Sequence, residues 1–333
     1  MPLLDIRNLS IEFDSPHGRI KAVDRVNLSI NPGEIRGLVG ESGSGKSLVA
    51  KAIMGILNDR WYVSADRLRY NGVDLLSLSA KERRKLMGRE IAMVFQEPSS
   101  SLDPNDTVGH QLHESLPMDE CDVSFFKRRK WREERIKAFL HKVGIRDHKR
   151  VMKSYPHELS EGICQKVMIA MTIAYKPRLL IADEPTTVIE AGAQDQIFKL
   201  FKKLNQLNEV SILLITHDLE HVESWTKTIT VMYCGQTVES GYTKQIFKQP
   251  YHPYTMALLQ SMPHFNAQLS RKSQLTALSG SVPSLQHLPI GCRLGPRCPR
   301  AQKLCVEIPK MEKVRGHYFS CHFPLTEQEG KKS

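Results

Sequence analysis

The chain has 333 residues, 41% of them hydrophobic and 25% charged, with a formal charge of +11. This composition excludes a disordered or collagenous chain, and the length suits one large α/β domain with an extension, or two domains. No stretch approaches the about 18 consecutive apolar residues of a membrane span, and MPLLDIRNLSIEF has neither a basic leader nor a cleavable apolar segment, so a cytoplasmic chain is expected.

In chain order, the β-type runs LLDIRNLSIEF, VDRVNLSI and EIRGLVG precede a helix that begins near Lys46. The turn into that helix reads GESGSGKS and fits the phosphate-binding pattern G-x-x-x-x-G-K-[ST]. Gly40, Gly43 and Gly45 let the backbone at Glu41, Ser42 and Ser44 wrap phosphate oxygens, and the helix N-terminus adds positive potential. Lys46 then reaches the β and γ phosphates of a nucleotide, and Ser47 is placed to ligate Mg²⁺.

The next β-type run, EIAMVF, ends at Gln96; from about Thr107 to Lys176 the sequence reads as helices, KRRKWREERIKAFLHKVG among them. The buried run RLLIADEP follows and delivers Asp183 to the Mg²⁺ shell and Glu184 beside it, where a carboxylate orients or deprotonates an attacking water. SILLIT ends at His217, so Gln96 and His217 both project from the carboxyl edge of a largely parallel sheet, where ligands of such folds bind. After TITVMYC, Pro and Gly become frequent beyond Gln249, which suggests a C-terminal extension, and only the EQEGKKS tail reads as disordered.

Seven cysteines are present, and Cys292-x5-Cys298-x6-Cys305-x15-Cys321 places four thiols in the extension. In a cytosolic chain such a cluster favours metal over disulfides, although the close C-x₂-C pairs of zinc ribbons are missing. The basic run FFKRRKWREERIKAF reads first as a solvated helix face and second as a contact for anionic lipid or membrane subunits. No nucleic-acid module accompanies it, and no nucleic-acid partner is expected.

The order GESGSGKS, QEP, LSEGICQK, LLIADEPTT, THD resembles the nucleotide-binding subunits of ATP-binding cassette (ABC) transporters, as Walker A, Q-loop, signature, Walker B and switch histidine. VFQEPSSSLDP, YHPYTMALL and GCRLGPRCPRAQKLC narrow the likeness to ATPase subunits of bacterial dipeptide and oligopeptide importers, in particular one associated with antimicrobial-peptide uptake. The resemblance implies an α/β P-loop NTPase core with an antiparallel β subdomain, a helical subdomain at about 107–176 and a small Cys-rich extension. The cassette would span 1–260 and the extension 261–333. It further implies that ATP is bound by Gly40 to Ser47, with Phe13 as the aromatic on adenine, and that Mg²⁺ is held by Ser47, Gln96 and Asp183. Glu184, His217 and Gln96 would be catalytic, and Ser160, Glu161, Gly162 and Gln165 would face a partner's ATP. Cys292, Cys298, Cys305 and Cys321 would hold a [4Fe-4S] cluster, with zinc as second choice. The implied partners are a paralogous ATPase in a heterodimer, two transmembrane permease subunits and, through them, a periplasmic peptide-binding protein, at the cytoplasmic face of the inner membrane.

Two departures stand out. The family signature reads Leu-Ser-Gly-Gly, but Glu161 occupies the third position; after DEPTT the usual Ala-Leu-Asp is replaced by Val188, Ile189 and Glu190. An acid facing a γ-phosphate repels it, whereas an acid turned to solvent in a helix's first turn is favourable with the macrodipole. The first case implies two unequal ATP sites, the one using this chain's signature turning over slowly. An ATP-binding regulatory subunit with little hydrolysis is the alternative, opposed by an intact Glu184. A soluble ABC ATPase acting on nucleic acid would show two cassettes or a long coiled-coil insertion, and neither is present.

Overall fold

The computed structural model describes residues 1–16, 18–117, 121, 124, 127–262, 278 and 280–325; the EQEGKKS tail and Phe125 and Phe126 of the basic run lie outside them. Packing divides the chain into two compact units, residues 1–78 with 214–333, and residues 79–213.

The first unit opens with β1 (Leu4–Ser15), β2 (Gly18–Ile30), β3 (Ile35–Val39), α1 (Lys46–Met54), β4 (Trp61–Ser64), β5 (Arg67–Tyr70) and β6 (Val73–Asp74). β1 pairs antiparallel with β2, β4 and β5, which gives the expected antiparallel subdomain. Its Ile6, Leu9 and Ile11 are fully buried and form one side of the core there. β3 instead carries the loop before α1, and α1 stops where Gly55 turns left-handed at φ 67°.

The second unit runs through α2 (Ala80–Leu86), β7 (Ile91–Val94), α3 (Pro98–Ser101), α4 (Val108–Glu114), α5 (Arg128–Lys142), α6 (His148–Lys153), α7 (Glu161–Ala174), β8 (Leu179–Asp183) and α8 (Ala191–Asn208). Among the described residues between 107 and 176 every regular element is helical, as the sequence indicates. β7 and β8 pair in parallel with all side chains buried, which is why each reads as a continuous apolar run rather than an alternating one.

β9 (Ser211–Thr216) returns the chain to the first unit, which continues with α9 (Leu219–Trp225), β10 (Thr228–Tyr233), β11 (Gln236–Tyr242), α10 (Thr243–Lys248), α11 (Pro253–Gln260), β12 (Glu312–Val314) and β13 (His317–Phe319). β10 lies parallel to β3 and antiparallel to β11. The β10–β11 turn uses Cys234 (φ 44°) and Gly235 (φ 79°), two left-handed residues whose twist suits a tight hairpin. The extension packs onto this unit rather than apart from it. β13 adds to β11, Leu294 joins Tyr233 and Tyr254 in one core cluster, and the fully buried Glu239 carboxylate accepts hydrogen bonds from His317 Nε2 (2.6 Å) and the Tyr251 and His252 N–H groups. Among the described residues no helix is long and apolar enough to cross a membrane.

Candidate nucleotide site

In the first unit the end of β3 turns sharply into α1 through Gly40 (φ 153°), Gly43 (φ 78°) and Gly45 (φ 96°). Gly40 is the tightest point, because a Cβ there would overlap the Met232 carbonyl oxygen. Lys46 is buried, and its ammonium donates to the carbonyls of Gly40 (2.7 Å) and Glu41 (2.9 Å) and to Ser44 Oγ (3.3 Å), so the cation sits inside the loop that its own backbone forms. Ser47 follows in the first turn of α1, half-buried. Phe13, half-buried on β1, stands across from Trp61 with ring centroids 5.0 Å apart. The sequence reading missed Trp61 as its companion, although both are exposed-face aromatics on neighbouring strands. His217 is solvent-exposed just beyond β9, followed by Asp218, whose carboxylate caps α9.

In the second unit Asp183 ends β8 and is 2% exposed. Glu184 adopts φ 47°, a left-handed conformation uncommon for a non-glycine residue, and Thr187 Oγ1 donates to its carboxylate at 3.0 Å. Strain of this kind costs roughly 1–3 kcal/mol and recurs at functional sites. Gln96 is exposed between β7 and α3. Gln165, fully buried on α7, donates through Nε2 to the Pro185 carbonyl (3.1 Å) and the Phe95 carbonyl (3.5 Å), so the signature helix holds both the segment after Glu184 and the residue before Gln96.

The residues of the LSEGICQK run lie at the start of α7. Ser160 occupies the N-cap position, but its hydroxyl makes no capping hydrogen bond and is exposed. Glu161 is exposed as well, and Gly162 packs so near the Val188 carbonyl that a Cβ would lie 3.3 Å from it. Cys164 is buried, donates to the Pro156 carbonyl, and has its thiol pKa raised by burial and by Glu161.

Residues 23–187 match the ABC transporter family and residues 238–305 the C-terminal region of oligopeptide and dipeptide transporters. The chain is 53% identical over 98% of both chains to the peptide transport system ATP-binding protein SapD of Salmonella typhimurium. It belongs to the ABC transporter family. Other ABC relatives include SapD of Haemophilus influenzae (50% identical; 99% of this chain, 94% of that one) and the dipeptide transport ATP-binding protein DppD of Escherichia coli strain K12 (44%; 98% of each). A solved ABC cassette, a dimer in a post-hydrolysis state with ADP and Pi, matches 72% of this chain and 98% of its own at 25% identity, with a TM-score of 0.62. The fold is therefore that of an ABC ATPase.

The cysteine cluster is less clear-cut than its spacing implies. Cys292, Cys298, Cys305 and Cys321 border one small cavity together with His252 and His322, and all four are free. The donor set suits a thiolate-ligated group. Burial raises the thiol pKa of Cys292, Cys298 and Cys321, the last to about 11. Among the described residues no three His, Cys, Asp or Glu side chains are gathered to hold a metal ion. The expected [4Fe-4S] cluster, and zinc after it, finds no support in the arrangement of these side chains.

The sequence reading also missed what lies behind the phosphate-binding loop. Arg297, between Cys292 and Cys298 in sequence order, forms a two-pronged ion pair with Glu41 (Nη1–Oε2 2.9 Å, Nη2–Oε1 3.3 Å), and the Tyr254 hydroxyl accepts from the Glu41 N–H at 2.8 Å. The pair holds the Arg297 pKa above its ordinary value, and burial pushes the Tyr233 hydroxyl beside it up to about 12. YHPYTMALL and GCRLGPRCPR carry these residues, but neither pattern names a partner 256 residues away.

Proposed function

We propose that the chain energises peptide import, antimicrobial peptides included, as the ATP-hydrolysing subunit of a membrane ABC complex. The observation that carries this reading is near full-length similarity to peptide-transport ATP-binding proteins combined with a complete phosphate-binding loop and an intact Glu184. The family resemblance assigns Mg²⁺ to Ser47, Gln96 and Asp183, whose hydroxyl, amide and carboxylate oxygens are donors that ion prefers. When bound, that ion neutralises charge on the β and γ phosphates. Lys46 compensates the same charge, Glu184 orients and accepts a proton from the attacking water, and His217 with Gln96 responds to the γ-phosphate.

The partners follow from this role. They are two permease subunits, a periplasmic peptide-binding protein acting through them, and a paralogous ATPase that supplies the second cassette at the inner-membrane face. Glu161 and Glu190, the departures from the family pattern at the signature and after Glu184, are both exposed in this chain, and unequal composite sites follow where Glu161 faces the partner's γ-phosphate. The cassette and extension divide near residue 260, with the helical subdomain at about 107–176. The test is reconstitution of the complex in proteoliposomes with external peptide and internal ATP. Uptake that requires ATP and is lost with Lys46→Ala supports the reading; ATP turnover that continues unchanged by peptide and permeases, with no uptake, contradicts it.

A further inference from the structure

Glu41 poses an electrostatic problem. It is the second residue of a loop built to receive a polyphosphate, and an uncompensated carboxylate there opposes the bound anion. Its side chain is 30% exposed and is met by Arg297, itself 9% exposed, through two parallel N–H···O contacts of 2.9 and 3.3 Å. Bidentate guanidinium–carboxylate pairs fix orientation as well as charge.

The contact is braced on both sides. Arg297 Nη1 also donates to the Tyr233 hydroxyl at 3.3 Å, the Tyr233 ring packs on Tyr254 with centroids 4.7 Å apart, and the Tyr254 hydroxyl receives the Glu41 N–H. Four residues earlier in the same segment, Arg293 donates to the Cys234 carbonyl and pairs with Asp24 at 3.1 Å. Cys234 belongs to the β10–β11 turn, whose Gly235 N–H donates to the Ser44 carbonyl at 3.0 Å. The extension thus reaches the loop at Glu41 directly and at Ser44 through the turn.

We infer that Arg297 is a positioning residue of the ATP site, supplied by the C-terminal extension: it neutralises Glu41 and turns its carboxylate away from the phosphates. The extension is then part of the nucleotide site, and ATP affinity depends on its being folded in place. The inference rests on the phosphate-binding loop being the ATP site.

The test is a double-mutant cycle on the full chain, with the dissociation constant for ATP and Mg²⁺ measured by calorimetry and the melting temperature recorded alongside. Arg297→Met weakens ATP binding about tenfold, as release of a partly buried charge near a polyanion requires. In a Glu41→Gln background the same substitution has little further effect, because no carboxylate remains to be compensated. A tail that merely stabilised the fold would give equal losses in both backgrounds, and that result, or no loss in either, overturns the inference. Should Arg297→Met fail to fold, Arg297→Gln, which is neutral and can still donate a hydrogen bond, serves the same cycle with the same two outcomes. Lys46→Ala is the separate control: unchanged affinity there would defeat the assignment of the loop itself, whatever Arg297 does.

Discussion

Replacing Glu161 by glutamine removes one charge from the first turn of α7 and leaves its shape. The size of the effect depends on where the carboxylate lies. At about 6 Å from a γ-phosphate charge and an effective dielectric of about 20, repulsion is roughly 2.8 kcal/mol, or about a hundredfold in ATP affinity. Glu161 is solvent-exposed, so a dielectric near 80 is the better description; the same separation then gives roughly 0.7 kcal/mol, or about threefold. Salt screens it further. The expected outcome is that Glu161→Gln in the reconstituted complex raises turnover at the site using this signature by about threefold at low ionic strength and by less at high salt. Glu161→Gly should behave alike: both substitutions lose the favourable macrodipole contact, and glycine also lowers helix propensity. The assay is ATP turnover with the opposite site silenced, repeated across ionic strength. A hundredfold, salt-insensitive gain would refute the solvent-facing placement, and no change would refute an electrostatic basis for unequal sites.

Gly40→Ala drives a methyl group into the Met232 carbonyl at a backbone angle unsuited to alanine; loss of several kcal/mol of local stability and of measurable ATP binding is expected, by thermal melt and calorimetry. His252 is fully buried, its Nδ1 accepts from the Tyr254 N–H, and burial holds its pKa down at about 4 despite Glu239. An unfolded chain takes up that proton near pH 6.5, so the contribution to stability is intact above 6.5 and is lost as pH falls toward 4. Between those values the wild type should lose more melting temperature than His252→Asn, a variant that can still cap α11; parallel curves would contradict this assignment.

The strands that lead to the expected site residues were readable because they are buried and largely apolar: IRGLV before the loop, interrupted only by Arg36, IAMV two residues before Gln96, LLIAD ending in Asp183, and SILLIT before His217. β4, β5 and β6 were not readable, being short and half-exposed, nor were β12 and β13, a hairpin of three-residue strands whose attachment to β11 closes over a long sequence separation. Four cysteines drew notice to the extension for their metal-binding potential. The residues there with visible ties to the nucleotide loop are two arginines, and nothing local to Arg293 or Arg297 announces Asp24 or Glu41. Glu184 gave no sequence hint of its left-handed backbone, a conformation uncommon for a residue with a side chain.

The most direct test of the central claim is ATP turnover of the reconstituted complex with Glu184→Gln in this chain. Turnover should fall almost completely at the site built on this chain's Walker motifs while ATP binding persists there, since the amide retains shape but cannot take the proton of water. Undiminished turnover at that site would contradict the account and leave this chain as an ATP-binding regulator of its partner.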